Sequence, residues 1–122
     1  MTLSRQLADL VMQTPEIDNK DVINAAKRGV IDFFAASLHA INEKETIKIK
    51  QWIIDEGGNP KAWLLGHKTK ATAAQAALLN GFQAHLLDYD DIHADVRGHP
   101  SAVILSALFA SIDLTSADKI NG

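Results

Sequence analysis

Residues 69–87, Thr69-Lys-Ala-Thr-Ala-Ala-Gln-Ala-Ala-Leu-Leu-Asn-Gly-Phe-Gln-Ala-His-Leu-Leu87, break sharply with the lysine-bearing sequence before them and are dominated by alanine and leucine. Alanine has the highest helix propensity, and small side chains all round a helix let its neighbours approach closely. The segment therefore reads as a central, buried helix. Gly81 inside it costs about 1 kcal/mol relative to alanine, which hints at a close backbone contact.

Working outward, a second apolar helix starts at Pro100. Proline suits the first helical position, Ser101 stands beside it, and Val103, Ile104, Leu105, Leu108, Phe109 and Ile112 follow. Towards the N-terminus, Val22, Ile23, Ala26, Val30, Phe33, Phe34, Leu38 and Ile41 recur at helical spacing, with Asn19 or Asp21 as cap. Leu3, Leu7, Leu10 and Val11 share one face of a shorter helix that Thr14-Pro15 ends, with Thr2 or Ser4 as its cap. Lys44 to Glu56 forms another helix, with Ile47, Ile53 and Ile54 inward, stopped by Gly57-Gly58. Residues 61–66 are a short apolar run, extended or a buried connector, in which Trp63 is a packing residue. Asn121-Gly122 is a turn signal. No strand alternation or internal repeat is evident, so the expected fold is all-α, a helical bundle over residues 1–122.

At 122 residues the chain has room for one domain, and 47% hydrophobic with 22% charged residues is ordinary for a globular protein. No cysteine is present, which removes disulfides, thiolate metal sites and cysteine nucleophiles and fits a reducing compartment. The N-terminus has no apolar signal-peptide core, and no run approaches a membrane span, so a cytoplasmic location and no membrane partner are expected. Residues 1–70 carry ten Lys/Arg against nine Asp/Glu, whereas residues 71–122 carry two against six. The acidic second half argues against a nucleic-acid surface.

Chemistry is concentrated between the two apolar helices. Residues 85–101 hold three of the five histidines and four aspartates. Such a density of titratable groups is costly unless they stay wet or pair with one another. His85 and Asp88 are three apart, hence adjacent if the helix continues, and Asp88 and Asp91 repeat the spacing. His99 stands at the start of the last helix, where the positive end of the macrodipole favours an uncharged imidazole able to accept a proton. The N–H groups beyond it would welcome a carboxylate. Arg97 is equally suited to holding a substrate carboxylate or to pairing with Asp91 or Asp95.

Plainer roles compete. Asp90, Asp91 and Asp95 read as capping or solvated loop residues, His85 as a satisfied core histidine, His39 as a C-terminal helix residue, and His67, flanked by Lys68 and Lys70, as a surface group. The set of histidines and aspartates raises a metal-dependent hydrolase as an alternative. However, no H-x-x-x-H or H-E-x-x-H register is present and any two-His site would have to be assembled across a loop, so no metal is expected.

Asn80-Gly-Phe-Gln-Ala-His85-Leu-Leu-Asp88-Tyr-Asp-Asp91, followed by His99-Pro-Ser101, resembles the MmgE/PrpD family, which includes 2-methylcitrate dehydratase, cis-aconitate decarboxylase and iminodisuccinate epimerase. The likeness follows the helix order of the whole chain and is most specific from Ala74 to Ala110. It implies the N-terminal part of a large helical domain, a homodimer, no cofactor, and proton transfer beside a carboxylate of a small polycarboxylate substrate. It also implies that Asp88 and His99 are the catalytic positions. His85, Asp91, Arg97 and Ser101 are the candidates for substrate binding.

Two features depart from the family pattern. Ile92 stands where a threonine is common. Family members are several times longer, with a substrate-binding lysine, a further histidine and a tyrosine downstream, so the chain reads as a fragment or truncated product, inactive alone. The leading expectation is a portion of a 2-methylcitrate dehydratase-like lyase. A decarboxylase or epimerase of the same family, and a non-catalytic helical self-association module, stand as alternatives.

Overall fold

The computed structural model describes residues 2–115. The turn expected at Asn121-Gly122 lies outside them. The described residues form five α-helices and a two-stranded hairpin: α1 (Leu3–Gln13), α2 (Lys20–His39), α3 (Lys44–Glu56), β1 (Ala62–Trp63), β2 (Lys70–Ala71), α4 (Ala73–His85) and α5 (Pro100–Ile112). The expected helical architecture is therefore the observed one. None of the described helices is long and apolar enough to cross a membrane.

The helix ends are set by local chemistry. Thr2 Oγ1 accepts from the Arg5 N–H and Asn19 Oδ1 accepts from the Asp21 and Val22 N–H groups, relieving donors that a helix start leaves unpaired. At α4, Thr72 and Gln75 form a reciprocal capping box, and the Gln75 amide also donates to the Gly57 carbonyl at 3.0 Å. One side chain thereby ties the end of α3 to the start of α4. Pro100 opens α5, as its fixed φ and missing donor favour.

Helix α4 is the hub, packing along α5 and also meeting α2 and α3. Gly81 is where α4 and α5 come closest: a Cβ there would lie 3.0 Å from the Ala102 carbonyl oxygen and 3.0 Å from Ser106 Oγ. Two apolar clusters flank this contact. One gathers Ile53, Ala62, Leu64, Ala76, Leu79 and Ala110 between α3, the hairpin, α4 and α5. The other places fully buried Phe33 of α2 against Ala84 and Ala102, with Phe34, Leu105 and Phe109 around it.

Of the two readings of residues 61–66, the extended one is observed, as one strand of a short hairpin. Ala62 pairs with Ala71 and Trp63 with Lys70, while Gly66 turns the loop at φ 75°, tight against the Ile41 side chain. Two residues per strand are too few for period-two patterning to show. Trp63 is about half exposed, capped by the Lys70 ammonium 4.6 Å from the ring centroid, so it is no core residue. Helix α1, in addition, buries none of its residues, and the stripe of Leu3, Leu7, Leu10 and Val11 is exposed.

Candidate functional site

Helix α4 ends at His85, so Asp88 and Asp91 do not continue its face as the three-residue spacing allowed. Asp88 instead adopts φ 54°, a left-handed conformation that aspartate tolerates better than most residues, and its N–H donates to the His85 carbonyl at 2.9 Å. This reversal turns the chain back under the helix end. Asp90 is thereby buried: its side chain is 1% exposed, in contrast to the solvated loop residue expected.

Asp90 organises the site. His85 Nδ1–H donates to Asp90 Oδ1 at 3.0 Å, and His99 Nδ1 approaches the same oxygen at 3.2 Å, within ion-pair range but without hydrogen-bond alignment. Asp88 Oδ1 lies on the other side, 3.6 Å from His99 Nε2 and 3.9 Å from His85 Nδ1. The two imidazole centroids are 4.2 Å apart. Four residues separated in sequence by up to a fourteen-residue step, from His85 to His99, thus converge on one point. His99 meets two carboxylates as well as the start of α5, so the helix dipole is not the only field on its ring.

His85, Asp88 and His99 face a groove of about 840 Å³ between α4 and α5, whose remaining wall is mostly apolar and includes Gly81, Phe82 and Val103. A concave apolar surface with a few convergent polar groups is the usual form of a small-molecule site. Among the described residues, no lysine or arginine lines it.

The other sequence candidates fall elsewhere. Asp91 accepts from Ser101 Oγ at 2.7 Å and from the Ser101 N–H at 3.3 Å, while its own N–H donates to Asp32 Oδ2 at 3.0 Å. The first turn of α5 is therefore capped by the chain's own carboxylate. Asp91 and Ser101 fasten the loop to α5 and α2, and neither lines the groove. Arg97, at φ 52°, sits in a tight turn where His93 N–H donates to the Gly98 carbonyl at 3.0 Å, and it too is absent from the groove wall. His39 packs edge-on against Tyr89, with centroids 6.0 Å apart.

His67 is half-buried, not the surface group expected, and its Nε2 lies 2.9 Å from Gln83 Oε1. Burial holds the imidazole below its ordinary range; the Gln83 hydrogen bond opposes this and Lys50 adds to it. The folded chain therefore takes up this proton less readily than the unfolded chain. Stability is fully present above the unfolded value of 6.5 and falls as the pH drops below it. Urea unfolding at about pH 7.5 and about pH 5.5 should show a larger acid loss for the parent than for His67→Gln; equal losses would contradict this.

Comparison with known proteins returns a match to the model of the MmgE/PrpD N-terminal domain over residues 5–121. A search of curated proteins found no match. The family match spans almost the whole chain and includes both apolar helices, the motif from Asn80 to Asp91 and the later His99-Pro-Ser101, so this chain belongs to the MmgE/PrpD family.

Proposed function

We propose that the chain contributes the proton-transfer part of a cofactor-independent lyase that acts on a small polycarboxylate, with dehydration of 2-methylcitrate as the leading reaction. The observation that carries this reading is the pairing of Asp88 and His99, 3.6 Å apart on the wall of an apolar groove, with the His99 side chain only 22% exposed. In dehydration, an imidazole removes a proton from carbon beside a carboxylate, the C–H electron pair becomes the new C=C bond, and the hydroxyl departs with a proton as water. His99 fills the base or acid role and Asp88 positions the substrate or relays the proton.

Asp90 supports both rings from behind. A buried carboxylate that holds His85 by Nδ1 leaves Nε2 of that ring directed elsewhere and fixes its tautomer. The absence of Lys or Arg from the groove wall means that the substrate's negative charge must be met by groups beyond the described residues, which accords with the downstream lysine implied by the family resemblance.

A chimera tests the assignment. Residues 5–121 replace the N-terminal domain of an active 2-methylcitrate dehydratase, and dehydration is followed by the absorbance of the unsaturated product. In an active chimera, His99→Ala and Asp88→Ala should each lower kcat by at least about 100-fold. Rates near that of the parent chimera in both variants would defeat the reading.

A further inference from the structure

We infer that the His85, Asp88, Asp90 and His99 cluster is a binding site for a divalent transition cation of the zinc class. The first ground is geometric. One donor atom from each residue can be chosen so that all four lie within 4.8 Å of one another. The closest pairs are 3.0 Å for His85 Nδ1 to Asp90 Oδ1, a hydrogen bond whose proton a cation on Nδ1 would displace, and 3.6 Å for His99 Nε2 to Asp88 Oδ1. Bonds of about 2.0–2.2 Å in a tetrahedral shell place neighbouring donors about 3.3–3.6 Å apart, so side-chain rotation must bring the widest-spaced donors closer by up to about 1.2–1.5 Å.

A second ground is independent of the spacing. Asp90 Oδ2 is buried and has no hydrogen-bond donor among the described residues, and the buried Nδ1 of His99 has no aligned partner either. Buried polar atoms in that state are costly. A cation held by Asp90 would give its carboxylate the partner it lacks, with His99 lending one ring nitrogen to the shell.

Charge and donor type identify the ligand. The ion-pair partners of Asp88 and Asp90 among the described residues are all histidines, so two carboxylates face the cluster without Lys or Arg to neutralise them. Two imidazoles with two carboxylates suit Zn²⁺, Co²⁺ or Ni²⁺ better than Mg²⁺ or Ca²⁺, which prefer oxygen shells. The spacing rules missed this site because the left-handed turn at Asp88 and the start of α5 assemble it from both ends of a loop.

Binding itself does not depend on the lyase reading. Its consequence for catalysis does: a cation on His99 and Asp88 occupies the atoms that would move the proton, so occupancy inhibits. The metal acts there as a regulator or inhibitor rather than a cofactor.

The test titrates the EDTA-treated, dialysed chain with ZnCl₂ and, separately, CoCl₂. At zinc about 100-fold above Kd, Tm should rise by about 5–10 °C and return on adding EDTA. Co²⁺ should give the visible ligand-field bands of a low-coordinate nitrogen and oxygen site. His85→Ala and His99→Ala should each weaken zinc binding at least about 10-fold, whereas His93→Ala, outside the cluster, should not. Should His99→Ala fail to fold by far-UV circular dichroism, His85→Gln decides, since that side chain is 50% exposed and the glutamine amide retains a hydrogen-bond donor. No zinc-dependent rise in Tm, or a rise unchanged in the His85 variants, overturns the proposal. In the chimera, full rates in His99→Ala, alongside a parent that binds zinc and a His99→Ala variant that does not, would remove the lyase reading alone, and lost rates in His99→Ala alongside a parent without zinc binding would remove the cation site alone.

Discussion

Phe33→Ala should destabilise the chain by about 3–5 kcal/mol, the usual cost of emptying a fully buried aromatic position. The Phe33 side chain has no exposed surface and lies where α2 meets α4 and α5, against Ala84 and Ala102, whose own side chains are too small to close a gap. Its ring is stacked on Phe109 at 6.1 Å and edge-on to Phe34 at 5.5 Å, so aromatic contacts are lost along with buried area. A domain of this size has a total stability of about 5–15 kcal/mol, which makes the loss a large part of the whole. Because Ala84 directly precedes His85 and Ala102 follows His99 by three residues, the cavity would open beneath the two imidazoles. Urea unfolding gives the energy, and NMR of the two imidazoles should show them losing their fixed relative arrangement. Phe33→Leu, which fills most of the space, should cost much less. A loss below about 1 kcal/mol for Phe33→Ala would mean that the three helices do not share this core.

Features encoded within a few residues were legible in the sequence. Asn19 as a cap, Pro100 as a helix start and Gly57-Gly58 as a stop act through local hydrogen bonds and dihedral preferences, and the structure places each where the sequence indicates. Gly81 was readable as a close approach for the same reason, since the absence of a Cβ matters only where a neighbour is near. Asp88 and His99 were marked by the family motif, and the structure sets them 3.6 Å apart. Asp90 was not legible. Its burial depends on a single left-handed residue two positions earlier, and nothing in the spacing Asp88-Tyr-Asp90-Asp91 separates a buried carboxylate from an exposed one. The exposed stripe of α1 was hidden for the opposite reason: periodicity reveals an amphipathic face without revealing whether anything covers it. His67 was assigned to the surface from its lysine neighbours in sequence, whereas its environment is set by Gln83 and Lys50, both distant along the chain.

The Asn80 of the family motif has a structural task that its position in the motif does not disclose. Its side chain is buried in α4, with Oδ1 accepting from the Leu65 N–H at 2.8 Å and Nδ2 donating to the Trp63 carbonyl at 3.1 Å. One amide thus pairs both a donor and an acceptor of the backbone, as a neighbouring strand would, at a place where the two-residue β1 has no further strand to meet. Gln83, one turn later, extends the clamp by donating to the Leu65 and Ser37 carbonyls at 3.2 Å and 3.3 Å. Asn80→Leu retains the approximate volume but leaves the Leu65 N–H and the Trp63 carbonyl without their partner. With about 1–3 kcal/mol for each unpaired buried group, the expected loss is about 2–5 kcal/mol. Asn80→Asp keeps an acceptor for Leu65 yet sets a carboxylate oxygen against the Trp63 carbonyl, so it should not restore stability at neutral pH. Amide hydrogen exchange locates the effect: protection should fall first at Leu65 and in the hairpin, before α4 and α5 open. Uniform exchange across all the helices, or an Asn80→Leu protein as stable as its parent, would show that the hairpin is held by other means.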